Sequence, residues 1–582
     1  MRSASPQRDL PARDTPGQQP ASAPGRVPFC GLLPRSFAVI ALLLAGALSA
    51  QTPQTGPQVL TFFSSVDDTD QPYAIYLPKG FDPTRKYPLV MSLHGAGSNH
   101  RLNLRRVFGQ GNLPGQPDAE ATRSFPALPD VEFIVASPLA RGTIGYQGIG
   151  ERDTYDVLAD VKKRFPIDED RIYLTGLSMG GGGTVWLGLT RPDVWAAIAP
   201  VCAAVPPGAS ELAPNALNLP VHLFHGEIDP VVPVASSRGL HKQLLELETA
   251  VQYTEYPGVR HNSWDNAYKD AAIFRWFSQH RRNRFPQRVR FATRTHDYRS
   301  AYWVAISMLI PSTLAKIDAR FTGPNQITID TTSIVAFTLD LTGHPSFVPG
   351  KPIHLIMDGG RYSSTGPQMW WRRTENIWEN GRATHSTSGK RPGAEGPIFR
   401  AISGRHIYVY GTADSPEPVE LERRRKIAME AADWTWSRFR PYLLFKVLAD
   451  RDVREEDQEG ADLVLFGTSA TNSLIAKHAR HMAIELNPGA ADYGLVQVLH
   501  AGGRHILVSS GLPWWTGSEE AAKATPRYLP LIPRLLLAFK DYVLFRGELN
   551  NLVAAGFLDS NWKVPVEVRE KVQALGVATV FR

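Results

Sequence analysis

Between about residues 58 and 284, short apolar runs alternate with stretches of helical periodicity. The runs 73–77, 88–93, 133–136, 172–175, 197–201, 221–225 and 251–256 read as strands, and 155–164, 181–190 and 236–248 read as helices. Strands that are apolar on both faces, separated by helices, predict a mostly parallel sheet covered on its two sides, so this segment is expected to be α/β. From 288 to 357 the pattern changes to period-two stretches (302–306, 326–330, 334–339, 353–357), which predict a small β-rich module. A Gly/Arg/Ser/Thr-rich stretch, 381–396, follows it as a linker. Beyond it, strands at 406–410, 443–447, 463–466 and 505–509 alternate with helices at 418–439 and 529–544, predicting a second α/β unit over 396–582.

Length agrees with several units, because a single core stops growing at roughly 250–300 residues and the chain has 582. Hydrophobic residues make up 43% and charged residues 20%, a balance that builds ordinary cores and excludes a long disordered or collagen-like chain. The net charge of +7 comes partly from arginines before position 50. No Lys/Arg-rich run interleaved with aromatics accompanies it, so no nucleic-acid partner is expected.

Residues 36–48 (SFAVIALLLAGAL) are apolar, with Arg35 before them and Leu48-Ser49-Ala50 after. The run is short for a membrane span and ends in small residues, so residues 1–50 are expected to be a signal peptide and leader, and the protein secreted or periplasmic. Membrane attachment is expected only if that segment stays uncleaved. Of two cysteines, Cys30 falls in the leader; Cys202 follows an apolar strand and reads as a small buried hydrophobe, so stability rests on the cores.

The strongest chemical signal is Ile172-Tyr-Leu-Thr-Gly176-Leu-Ser178-Met179-Gly180-Gly181, an apolar strand that runs through G-x-S-x-G into a helix-forming stretch. A serine on so sharp a turn leaves no room for side chains two before and two after it, so glycine is required at both positions. A serine hydroxyl is a weak nucleophile at neutral pH and needs a base oriented by a carboxylate, which on such a sheet follow in the order acid, then histidine. Asp229, in His225-Gly-Glu227-Ile-Asp229-Pro-Val-Val-Pro, is the expected acid, with Glu227 as competitor; His261, in Tyr256-Pro-Gly-Val-Arg-His261-Asn-Ser-Trp264, is the expected base. His280 reads as solvated surface.

The oxyanion formed when Ser178 attacks needs preorganised N–H donors. Met179 is the expected first donor and Ala96, or else Gly95, the second, in Leu93-His94-Gly95-Ala96-Gly97, with His94 as a structural loop residue. Trp264, Tyr146 and Gln147 are the expected substrate-pocket residues. There is no H-E-x-x-H and no paired C-x-x-C, so no metal is expected. Ser469 lies in Gly467-Thr-Ser469-Ala-Thr471, which lacks the second glycine, and is expected to be structural.

DRIYLTGLSMGG, HGEIDPVVP, YPGVRHNSWD and LHGAG together resemble the polyhydroxybutyrate-depolymerase and feruloyl-esterase-like branch of the α/β-hydrolases, which shades into prolyl-oligopeptidase-like serine peptidases. The resemblance covers about 58–285 and implies an α/β-hydrolase fold, a Ser-Asp-His triad and cleavage of carboxylic esters without a cofactor. The substrates so implied include polymeric or carbohydrate-linked esters. A peptidase with the same triad is the alternative, and a binding protein with a vestigial hydrolase domain a further one. The propeller that precedes the catalytic domain of prolyl oligopeptidases has no counterpart in the few residues between the signal and the hydrolase segment.

Overall fold

The computed structural model describes residues 54–384, 388–434, 443–518 and 531–581, within one compact unit that runs from Gln54 to the C-terminus. The expected signal segment lies outside the described residues. Among those described, no helix is long and apolar enough to cross a membrane.

Eight strands build the first sheet: β1 (Gly56–Ser64), β2 (Thr69–Leu77), β3 (Tyr87–Leu93), β4 (Ile134–Pro138), β5 (Ile167–Leu177), β6 (Ala197–Val201), β7 (Val221–Gly226) and β8 (Val251–Tyr256). They lie side by side in the order β1-β2-β4-β3-β5-β6-β7-β8. β1, β2 and β4 pair antiparallel, and β4 through β8 run parallel. Every residue of β3 is buried, and the pleat sends Leu89, Met91 and Leu93 into one core while Val90 enters the core on the opposite face. That two-sided burial is why these strands read as unbroken apolar runs.

The covering helices used below are α1 (His100–Val107), α2 (Ile149–Arg164), α3 (Met179–Thr190), α4 (Ala235–Glu246) and α5 (Trp264–Ala267). The amphipathic pattern foresaw α2, α3 and α4 but not α1, an Arg-rich helix that starts where the Asn99 side chain accepts from the N–H groups of Arg101 and Leu102 at 3.0 and 3.1 Å.

The region from Arg288 to Asn380 folds into two five-stranded sheets that share one core of residues such as Phe291, Trp303, Phe337 and Trp371. It has strands the alternation rule did not mark, including Arg288–Thr293 and Ala315–Gly323. The C-terminal part holds a seven-stranded sheet in which His406–Tyr410, Val447–Ala449, Asp462–Phe466 and Arg504–Gly511 are parallel and three further strands antiparallel. The expected strand 443–447 is displaced to Val447–Ala449. The helix Pro418–Ala431 ends earlier than expected, and residues 435–442 lie outside the described residues.

The expected helix 529–544 is corrected. Leu531–Leu535 is a short helix, Leu536–Ala538 a 3-10 turn, and Tyr542–Arg546 a strand held between Tyr493–Ala501 and Leu552–Gly556. Pairing with strands distant in sequence outweighs a local leucine pattern already interrupted by Pro533.

Candidate active site

Ser178 stands between β5 and α3 with φ 56° and ψ −115°, a left-handed conformation unusual for a residue with a side chain. Three backbone hydrogen bonds hold it there. Its N–H donates to Val201 at 2.9 Å, and its carbonyl accepts from Gly182 at 2.9 Å and from Ala204 at 3.1 Å. The flanking glycines are required by space: a Cβ on Gly176 would overlap the Gly180 carbonyl, and one on Gly180 would overlap the Leu93 carbonyl. Strand, helix and the neighbouring β3 therefore meet so closely that only the serine side chain projects.

Asp229 follows β7. Its Oδ1 accepts from the N–H groups of Val231 and Val232 at 2.8 and 3.0 Å, and its Oδ2 lies 2.7 Å from Nδ1 of His261. The other ring nitrogen of His261, Nε2, lies 3.0 Å from the Ser178 hydroxyl. A carboxylate only accepts, so Nδ1 carries the hydrogen and Nε2 is left to take the serine proton. Burial favours the uncharged acid at Asp229, but hydrogen bonds from His261, Val232 and Val231 outweigh it and hold the carboxyl below its ordinary value. The Asp229 side chain is fully enclosed while His261 keeps an exposed edge, the distribution expected of an orienting acid and a base that meets substrate.

The acid and histidine loops are joined along their backbones: Glu227 N–H donates to Tyr256 at 3.0 Å and Ile228 N–H to Val259 at 3.1 Å. Glu227, the competing acid, accepts from the Gly258 N–H at 2.8 Å and so braces the histidine loop, leaving Asp229 as the carboxylate on His261.

The loop after β3 passes beside the serine, close enough that a Cβ on Gly95 would touch both Leu177 and Ser178. His94 is fully buried, its ring nitrogens 2.8 Å from the carbonyls of Gly95 and Leu139. The Gly95 carbonyl also accepts from Ser98 N–H at 3.1 Å. In a trans peptide the C=O and the next N–H point in opposite directions, so tying the Gly95 carbonyl back turns the Ala96 N–H away from His94. Met179 begins α3 directly after the serine.

Of the expected pocket residues, Trp264 lies edge-on to His261, ring centroids 5.4 Å apart, and the guanidinium of Arg106 sits over its ring at 5.5 Å. Tyr146 is corrected: it is only 3% exposed, its ring fills the space a Cβ on Gly183 would need, and its hydroxyl donates to the His94 carbonyl at 3.2 Å. Gln147 faces another part of the surface. It borders a crevice of about 1260 Å³ between α2, α3 and the two C-terminal parts, whose lining contains none of Ser178, Asp229 and His261. The loop 141–150 does not reach the sheet edge as an open flap, because the C-terminal part covers it, with Phe399 packed against Gly148 and Arg534 beside Gly145.

Cys202 is fully buried, its sulfur within 4.8 Å of the ligand atoms of Asp229 and His261, and burial pushes its thiol up to about 12. It packs beneath the site as a neutral group. His280 is half-buried against Trp276, ring centroids 4.5 Å apart, where solvated surface was expected. Ser469 gives both its hydroxyl and its N–H to the Glu485 carboxylate. Among the described residues no histidine hydrogen-bonds it. His225, the last residue but one of β7, stands in the same His-Gly pattern that supplied the acid loop and carried no separate signal in the sequence.

Residues 152–275 match the family described as Phospholipase/Carboxylesterase. A protein of Arthroderma benhamiae described as an uncharacterized secreted protein is 24% identical over 560 residues, 83% of this chain and 56% of that protein, so the chain spans little more than half that relative's length. Feruloyl esterase D of Neurospora crassa is 24% identical over 231 residues, 37% of this chain and 76% of the relative. A thermostable esterase of solved structure is 30% identical with a TM-score of 0.32, over 39% of this chain and 63% of that one. The eight-stranded unit has an α/β-hydrolase fold. Within that superfamily its sequence resembles the feruloyl-esterase-like branch.

Proposed function

We propose that the protein is a secreted serine hydrolase of carboxylic esters that works through an acyl-enzyme. The observation that carries this reading is the single imidazole of His261 placed 3.0 Å from the Ser178 hydroxyl and 2.7 Å from the Asp229 carboxylate. His261 takes the proton as Ser178 attacks the ester carbonyl, and Asp229 keeps the ring in the required tautomer and stabilises the imidazolium. The tetrahedral oxyanion accepts from the N–H groups of Met179 and Ala96, each worth about 3–4 kcal/mol. Protonated His261 then gives its proton to the leaving alcohol, and a water activated by the same ring releases the acid and regenerates Ser178. These steps need neither metal nor cofactor.

Ester substrates are supported by the match to a carboxylesterase family and by likeness to a protein named feruloyl esterase. Trp264 beside the base gives an aromatic wall suited to a planar acyl group such as feruloyl. Export is supported by the apolar segment 36–48 and by the relative named as secreted.

The test is labelling of the purified full chain by a fluorophosphonate, combined with turnover of p-nitrophenyl acetate, methyl ferulate and a panel of peptide anilides. Labelling that disappears in Ser178→Ala together with ester turnover is expected. Turnover confined to the anilides would replace esterase by peptidase, and a wild type that neither labels nor turns over any ester would favour a binding protein.

A further inference from the structure

Fully buried beside the acid, His225 has a polar partner at each ring nitrogen. Nε2 lies 3.0 Å from the carbonyl oxygen of Val232 and 3.2 Å from Oδ2 of Asp229. Nδ1 lies 2.7 Å from the hydroxyl of Ser237, which is buried in α4. A carbonyl oxygen only accepts, so Nε2 must carry a hydrogen, and in the neutral ring Nδ1 then accepts from Ser237. The Nε2–H is directed at the Val232 carbonyl, and the carboxylate of Asp229 stands beside the same nitrogen.

Counting donors shows what this does. Oδ1 of Asp229 is held by the N–H groups of Val231 and Val232, and Oδ2 by His261, with His225 Nε2 3.2 Å away. Two backbone donors fix Oδ1, one of them on Val232, whose carbonyl His225 holds, and Oδ2 stays aimed at the base. The other titratable groups nearby are the buried Cys202 and Glu255, whose carboxylate is engaged by Arg238 and Tyr253 at 2.5 Å each.

We infer that His225 is a positioning residue for the reaction proposed above: its Nε2–H holds the Val232 carbonyl, Val232 in turn holds the Asp229 carboxylate through its own N–H, and Ser237 fixes which ring nitrogen of His225 bears that hydrogen. This rests on the Ser178–His261–Asp229 reading and adds a second, buried histidine on the far side of the acid.

The experiment compares full-length wild type, His225→Phe, His225→Gln and Ser237→Ala. It follows two quantities against pH: the second-order rate constant for fluorophosphonate labelling, and kcat and KM on p-nitrophenyl acetate. His225→Phe is expected to lower kcat about tenfold with KM within about twofold, as removal of an orienting hydrogen bond behind a catalytic group does. Its acidic limb should move to lower pH, because the Asp229 carboxylate is then held less firmly against His261. His225→Gln can place an amide N–H where Nε2 stood and should recover most of kcat and return the limb. Ser237→Ala should fall between wild type and His225→Phe.

A residue that merely packs would lower Tm and leave kcat and the limb unchanged in the folded fraction, and that result overturns the inference. If His225→Phe is not recovered folded, Ser237→Ala decides: an unaltered limb and kcat there overturn it equally. A wild type whose label persists in Ser178→Ala would instead defeat the reading of the site itself. That outcome is distinct from a wild type that labels at Ser178 and is matched by His225→Phe.

Discussion

The hydroxyl of Tyr146 donates to the main-chain carbonyl of His94 at 3.2 Å, which ties a loop covered by the C-terminal part to the loop that passes beside Ser178. His94 is the residue before Gly95, so a shift of this carbonyl is passed directly to the peptide expected to hold the oxyanion.

Tyr146→Phe keeps the ring against α3 and removes only this bond. It is expected to lower kcat several-fold with little change in KM, and to cost about 1 kcal/mol of stability, the usual net worth of one buried hydrogen bond. Steady-state kinetics and thermal melts on the same preparation check both.

Asp229→Asn is expected to retain the fold and lose about 10⁴ in kcat, because the amide can present an N–H to His261 and so favour the wrong tautomer. Active-site labelling should slow in parallel, while KM for a small ester should change little.

Glu151 on α2 accepts from the indole N–H of Trp186 on α3 at 2.9 Å and from the hydroxyl of Tyr298 at 2.7 Å. Burial is the largest influence and raises its pKa despite these donors. The folded state therefore holds this proton more tightly than the unfolded chain. Its contribution to stability is complete below the ordinary carboxylate value and is lost as pH rises through the raised one. Glu151→Gln removes the ionisation and keeps an acceptor, so Tm of the variant minus Tm of wild type should grow from pH 4 toward neutrality. A difference that stays flat across that range would contradict the assignment.

Arg141 is fully buried, its guanidinium 2.7 Å from Asp153 on α2 and 2.6 Å from Asp67 in the β1–β2 turn, with Ser64 also at 2.6 Å. Arg141→Met would strand two buried carboxylates and is expected to destabilise by about 3–5 kcal/mol, since the cost is that of uncompensated charge more than of the lost pair. Chemical denaturation should show the fall in midpoint. The same loop carries Tyr146, so ester turnover at low temperature should fall with it.

Close to the chemistry, much could be read from the chain. Gly176-Leu-Ser178-Met-Gly180 is dictated by local crowding: strand, turn and helix are contiguous in sequence, and a Cβ at either glycine would strike backbone within that unit or the adjoining β3. Asp229 and His261 were legible because each sits just past an apolar strand whose direction in a parallel sheet places its end at the same edge. Their choice over Glu227 and His280 rested on order and loop character, features the sequence contains.

What the chain alone did not decide depends on partners remote in sequence. Tyr146 and Gln147 looked like exposed loop residues because their stretch is Gly-rich and polar; the C-terminal part, more than 200 positions later, covers that loop, buries Tyr146 and leaves Gln147 on another crevice. The leucine-rich stretch after 530 becomes partly strand because two distant strands offer it a ladder. His225 looked like a strand terminus until its ring was seen between Ser237 and Asp229. Sequence determined the turn that exposes the nucleophile, because steric exclusion acts between near neighbours; tertiary structure decided which side chains are enclosed around it, because burial and hydrogen-bond partnership are properties of surfaces that meet only once the chain has folded.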